Sequence, residues 1–240
     1  MIAQEQAIGI LWVGRKTEIT ESEVHLLAAV ADITANAIHR ATMHEQTQKN
    51  ALDITHAYNT TLEGWAYALE LRDQETEGHA RNVVQMTIEL ARGMGINEDE
   101  LEHVWRGALL HDIGKMGIPD SVLLKPGLLN EDEWEIMRKH PGFAYQFLEP
   151  IQYLHPALDI PYCHHEKWDG SGYPHGLKGE EIPLVARIFA IVDVWDALRS
   201  DRPYRKAWAT EKAREYIVDQ SGVHFDSQVV QAFLEMLGNE

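Results

Sequence analysis

The chain has 240 residues, 45% hydrophobic and 25% charged, enough for one large helical domain or a smaller one with an appendage. Thirty-eight acidic against 21 basic residues give a net charge of -17, which argues against DNA or an acidic membrane face as the main partner. A single cysteine excludes an internal disulfide framework. The most apolar stretch, 184–198, is broken by Arg187, Asp193 and Asp196, so the chain reads as soluble and cytoplasmic, without signal peptide or membrane span.

In chain order, "IGILWVG" (8–14) predicts a short strand. Thr20 and Glu23 then form a capping box, and an apolar track follows through Val24, Leu27, Ala31, Thr34, Ile38 and Ala41. It resumes at Leu52, Leu62, Ala66 and Leu69, but Glu45, Gln48, Thr55 and Asn59 interrupt it. The pattern predicts a long helix rather than a continuous coiled coil.

From about residue 74 the pattern becomes a series of shorter helices. One carries His79, Val83, Met86 and Leu90 on one face and ends near Gly93 and Gly95. The next starts at the cap Asn97 and delivers His111 and Asp112 at its end. Asn130 and Glu133 predict a capping box for a helix ending near His140, before Pro141, and another helix should end at His164 and His165. Pro161 should kink the turn before those histidines. Pro183 opens the most apolar helix, and Thr210 and Asp226 are candidate caps for two closing helices. The main body is therefore expected to be all-α.

"ALLHDIGKMGIP" (108–119) places His111 and Asp112 at the end of an apolar helix, with Lys115 three residues on. Alone, the dipeptide reads as a hydrogen-bonded structural pair; an exposed loop lysine is the plain alternative for Lys115, but its place three residues after Asp112 favours a functional role. Similar oddities recur, however. Asp193 interrupts an apolar helix, Glu75 precedes His79 by four residues, and His140, His164 and His165 fall at helix ends. Eight oxygen or imidazole donors are too many for one ion and suit two or three. No thiolate belongs to the set, which favours iron or manganese over a structural zinc.

His111-Asp112, Asp193 and above all "HHEKWDGSGYPHGL" (164–177), with "RDQETEGHARNV" and "DRPYRKAW", resemble the HD-GYP subfamily of HD phosphohydrolases from about Arg72 to Leu237. The resemblance implies an HD-domain helical bundle and a metal-dependent phosphodiesterase that opens cyclic di-GMP to linear pGpG, with GMP as a further product. Implied metal ligands are Glu75, His79, His111, Asp112, His140, His164, His165 and Asp193, with Asp112 bridging two ions. Asp112 and Lys115 are the implied catalytic residues. Lys115, Gly172, Tyr173, Pro174, Arg202 and Arg205 are the implied substrate contacts. The glycine-rich loop reads equally as a strain-relieving turn, and 199–206 as a solvated basic one.

Two other readings compete: an HD-GYP hydrolase of cyclic GMP-AMP, or a silent module that binds a cyclic dinucleotide. "IGILWVG…ITESEVHLLAAVADITANAIHRA" also resembles the last strand and helix of a GAF sensory domain. The expected organisation is a GAF-like remnant over 1–45, a signalling helix over 46–71 and an HD-GYP domain over 72–240. That resemblance implies a homodimer through the N-terminal helix; a diguanylate cyclase domain is the candidate partner of the silent-module reading. Cys163 is expected to pack rather than react, and Trp168 to lie near substrate.

Overall fold

The computed structural model describes residues 1–3, 6–14, 16–73, 79–201 and 206–238, without the side chains of Gln6, His79 and Ala80. Glu75, Arg202 and Arg205 therefore lie outside the described residues, as does the side chain of His79. The chain divides into two compact units, 1–59 and 60–240. No described helix is long and apolar enough to cross a membrane.

In the first unit, β1 (Ile2–Ala3) pairs antiparallel with β2 (Gln6–Ala7). The strand predicted over 8–14 is not formed. Among the described residues only its start is paired, with the Ile8 amide donating to the Met1 carbonyl at 3.1 Å and the Met1 ammonium to the Gly9 carbonyl at 2.9 Å. Over 10–14 no strand is formed, and Trp12 is 84% exposed, so burial does not drive pairing. The capping box at the start of α1 (Glu21–Asp73) is present: the Thr20 amide donates to the Glu23 carboxylate at 2.8 Å, and the Glu23 amide to the Thr20 hydroxyl at 3.4 Å. No proline interrupts 21–73, and Gly64 is its only glycine, so nothing forces a break in the 53-residue helix. Val24, Leu27, Ala28 and Ala31 line a cavity of about 470 Å³ with Met1 and residues 9–13. A second stripe, Leu26, Val30 and Ile33, is exposed, Ile33 by 71%.

The second unit is helical. α2 (His79–Gly93) closes with Gly95 at φ +87°, where the Gly95 amide donates to the Arg92 carbonyl and the Ile96 amide to the Ala91 carbonyl. Glycine takes this left-handed position without Cβ strain. The Asn97 side chain caps α3 (Glu98–Leu109) by accepting from the Glu100 amide, and three acids occupy its first turn. After α4 (Asp120–Leu123), the capping box of Asn130 and Glu133 starts α5 (Glu131–Met137).

α5 stops before His140, contrary to expectation. His140 instead begins α6 (His140–Leu148), with Pro141 in the first turn, where an amide would have no intrahelical partner. The same physics corrects Pro161. It lies in the first turn of α7 (Asp159–Cys163) and continues it without a kink to His164. α8 (Leu184–Arg199) is followed by α9 (Thr210–Asp219) and α10 (Ser227–Leu237). Thr210 does not cap α9; its hydroxyl accepts from Arg199, and Ala209 holds the cap position. Asp226 caps α10 through the Gln228 amide.

Phe189, Ile188 and Ile191 of α8 pack with Val83, Leu90, Val104, Ile217, Phe225 and Phe233 in the main core. A smaller core joins Leu62 of α1 to Leu110, Ile113, Ala144 and Leu148. Leu110 and Ile113 of the smaller core bracket the His111-Asp112 pair, and the His111 ring packs on Phe189 of the main core at 4.8 Å.

Candidate metal centre

Past Leu109 the backbone tightens. The Leu110 amide donates to the Arg106 carbonyl, and Ile113–Gly117 form a 3₁₀ turn. This turn approaches the start of α6 so closely that a Cβ on Gly114 would lie 1.8 Å from the His140 carbonyl oxygen. Only glycine fits, and this contact sets Asp112 against His140.

Four donors converge. One ligand atom each from Asp112, His140, His164 and His165 can be chosen so that all lie within 4.8 Å of one another. His140 and His164 are buried. His140 Nδ1 faces the Met137 carbonyl at 2.8 Å, and His164 Nδ1 faces the Ile160 and Pro161 carbonyls at 3.1 and 3.2 Å. A carbonyl only accepts, so Nδ1 carries the proton and the neutral ring turns the lone pair of Nε2 inward. The two Nε2 atoms lie 3.3 Å apart, and Asp112 Oδ1 lies 3.3 Å from His140 Nε2 and 3.8 Å from His164 Nε2. Three acceptors facing one another need a cation among them, so the residues fit a metal.

The electrostatics agree. Burial, reinforced by the neighbouring imidazoles, holds His164 and His165 well below the usual histidine range, and burial lowers His140 despite Asp112. These rings present lone pairs at neutral pH, as metal binding requires. Burial opposes the charge of Asp112, but Lys115 and His111 hold its carboxyl well below the usual range. Burial would depress His111 too, yet Asp112 and Asp193 outweigh it and raise the ring to about 9.

The other implied ligands are placed differently. His111 Nδ1 donates to the Ala108 carbonyl, and its Nε2 lies 3.1 Å from Asp112 Oδ2. It therefore borders the four-donor cluster through Asp112. Asp193 of α8 is not one of the four, but its charge reaches His111 and Tyr173. Lys115 is not an exposed loop lysine: its Nζ lies 2.6 Å from Asp112 Oδ2 and 3.3 Å from Asp73 Oδ2, with the side chain 15% exposed.

The loop 164–177 supplies one wall. The Tyr173 ring stacks on His165 at 4.7 Å, and the Tyr173 amide donates to the His165 carbonyl. Burial, then Asp112 and Asp193, push the phenol above its usual range, so it stays protonated. Pro174 follows across a cis peptide bond and is exposed. A Cβ on Gly172 would lie 2.4 Å from the Lys167 nitrogen, so this glycine serves close packing. Cys163 is buried, and burial pushes its thiol up to about 12, which suits packing. Trp168 belongs to the same loop. It packs under the Arg187 guanidinium, and its amide donates to the His224 carbonyl.

Sequence reasoning missed three residues here. Glu166 is 2% exposed and accepts from the His175 and Leu177 amides at 2.7 and 3.0 Å, holding the loop shut. Gly114 makes the close approach to His140, and Asp73 meets Lys115. A carboxylate next to two histidines was the available signal for Glu166; nothing local marked the other two.

The chain matches the HD domain family over residues 65–229 and belongs to it. It is 45% identical over 176 residues to the cyclic di-GMP phosphodiesterase response regulator RpfG of Xanthomonas campestris, covering 72% of this chain and 47% of that one. It is 37% identical to 3'3'-cGAMP-specific phosphodiesterase 2 of Vibrio cholerae, covering 94% of this chain and 42% of that one. The chain thus spans less than half the length of these relatives. Among solved structures, a cyclic GMP-AMP specific phosphodiesterase of V. cholerae superposes with a TM-score of 0.60 at 20% identity, over 75% of this chain and 48% of that one. The HDG"Y"P protein Bd1817 of Bdellovibrio bacteriovorus superposes with a TM-score of 0.55 at 22% identity, over 67% and 51%. At these identities the superpositions show a shared fold.

Proposed function

We propose that this chain is an HD-GYP phosphodiesterase that hydrolyses cyclic di-GMP to linear pGpG, with GMP as the product of a second cleavage. The observation that carries the reading is the facing set of Asp112, His140 Nε2 and His164 Nε2, completed by His165, a donor set that suits a metal cation. The name of the Xanthomonas relative supports the substrate.

Asp112, His140, His164 and His165 would hold the metal, with His111, Asp193, His79 and Glu75 extending the set to two or three ions of iron or manganese. Such ions supply Lewis acidity toward a phosphoryl oxygen and lower the pKa of water. Lys115 offsets phosphate charge beside Asp112, and Arg202 and Arg205 contact the phosphates from the basic turn. Tyr173 walls the site over His165. Glu75 decides between two ions and three, since a third cation needs another anionic donor. Glu75→Ala should lower the metal content by one equivalent while the ions held by Asp112 stay.

A second reading, hydrolysis of 3'3'-cGAMP, is favoured by one observation: the Vibrio relative of that name matches 94% of this chain. Anaerobic purification with metal analysis, then incubation with each dinucleotide and chromatography of products, separates the two. Cleavage of cyclic di-GMP with at least two metal equivalents supports the first. Exclusive cleavage of cyclic GMP-AMP supports the second, and tight binding without cleavage supports a silent binding module.

Residues 1–45 are proposed as the end of a GAF-like domain, 46–71 as the signalling helix and 72–240 as the hydrolase. Dimerisation through α1 is proposed on the exposed stripe of Leu26, Val30 and Ile33. The apolar track through Val24, Leu27 and Ala31 instead lines the cavity with residues 9–13.

A further inference from the structure

The last turn of α1 touches the turn that carries Lys115 at several points. The Arg72 guanidinium donates to the Lys115 carbonyl at 2.8 Å, to the Ile118 carbonyl at 2.7 Å and to the Asp120 carboxylate at 2.7 Å. Next to it, the Asp73 side chain is 4% exposed, and its Oδ2 lies 3.3 Å from Lys115 Nζ. The backbone and the ammonium of one residue are thus both gripped from α1.

A buried carboxylate is retained where a cation answers it, because unpaired it would be costly to desolvate. Lys115 is shared between Asp73 and Asp112, whose Oδ2 is 2.6 Å away. Lysine is a flexible point charge whose four-carbon stem does not fix its direction, so its position follows its anchors. With Asp112 alone, the ammonium would fold onto a carboxylate that also faces His140 and His164. With Asp73 on the other side, the ammonium is held between the two carboxylates.

We infer that Asp73 is a positioning residue for Lys115, and that Arg72 fixes the turn on which this pairing depends. The inference rests on the reading of Lys115 as the group that meets substrate phosphate. Asp73 acts through Lys115 and has no contact with substrate. A consequence is that the end of α1 belongs to the active site's supporting structure, so displacement of that turn moves Lys115.

A double-mutant cycle tests this with Asp73→Asn, Lys115→Met and the double variant, each metal-loaded and assayed with cyclic di-GMP and cyclic GMP-AMP. Asp73→Asn is expected to lower kcat/KM about tenfold with metal content unchanged. In the Lys115→Met background the same substitution should change kcat/KM by less than twofold. Asp73→Glu should recover part of the loss, which a purely structural role would not produce. Equal losses in both backgrounds, or wild-type kinetics for Asp73→Asn, would overturn the proposal.

The same four proteins are compared by thermal unfolding without metal. The two substitutions should be non-additive in Tm if the pair is real, and additivity counts against it. If Asp73→Asn does not fold, Asp73→Glu and Lys115→Arg complete the cycle. Should the wild type hydrolyse neither dinucleotide, the functional reading fails, while the unfolding cycle still decides whether Asp73 and Lys115 are coupled.

Discussion

The two units depart from ordinary burial in opposite directions. Over 1–59, large apolar side chains such as Trp12, Leu26 and Ile33 lie on the outside. Over 60–240, His111, Asp112, His140 and His164 lie on the inside, among Phe189 and the packed helices around it. Each departure has a cost that something absent from the isolated chain can remove. Exposed apolar area is relieved by another apolar surface, and convergent buried acceptors are relieved by a cation. The comparison motivates the proposed helical partner for the first region and the proposed ions for the second.

The largest expected effect breaks the second half of that comparison. Asp112→Ala should lower hydrolysis by at least about a thousandfold and remove more than one metal equivalent, because this carboxylate faces both His140 and His164. Metal analysis and product chromatography check it, with circular dichroism to confirm the fold. Near-normal activity with unchanged metal content would falsify the assignment.

Next comes the backbone contact that sets the centre. Gly114→Ala places a methyl group 1.8 Å from the His140 carbonyl, so the turn or α6 must move. We expect a loss of about 3 kcal/mol in unfolding free energy together with weaker metal binding. A variant with wild-type Tm would show that the approach is looser than described.

The first half of the comparison is broken by making the exposed stripe polar. Leu26→Gln with Ile33→Gln should shift the protein from dimer towards monomer in sedimentation, leaving the metal content unchanged. A wild-type protein already monomeric at micromolar concentration would remove the reason for a helical partner.

The smallest effect sharpens it. Burial, with Lys167, pushes His224 down to about 4 against the opposing charge of Asp169, while its ring stacks on Phe225 at 4.3 Å. The folded pKa is below the unfolded value near 6.5, so this contribution is complete above about 6.5 and is lost as pH falls towards 4. His224→Phe should flatten the fall in stability across that window by about 2 kcal/mol or less. Parallel pH profiles for the two proteins would show that the ring is solvated.

Helix starts were legible because their chemistry is local. Thr20 with Glu23, Asn97, and Asn130 with Glu133 form the predicted caps. The errors arose where a local rule had two solutions. A proline after His140 can close one helix or open the next, and spacing alone does not choose. An apolar heptapeptide forms a strand only with a partner, and among the described residues only Ile8 and Gly9 of 8–14 meet one, at Met1. At the site, residue types were readable from "HD" and "HHEKWDGSGYP", but their convergence was not. Gly114 and His140 are 26 positions apart, and nothing near either announces their contact. Asp73 was equally silent, since a carboxylate at a helix end is ordinary until Lys115 is seen beside it.

The clamp of Glu166 on the amides of His175 and Leu177 has a consequence for how the site meets a ligand. With Tyr173 also tied to the His165 carbonyl, the loop has little conformational freedom left to surrender on binding. Its ordering entropy is lost when the chain folds rather than when a ligand arrives. The loop should therefore act as a rigid gauge, admitting ligands by shape at rates close to those of simple encounter, without a slow closing step of its own.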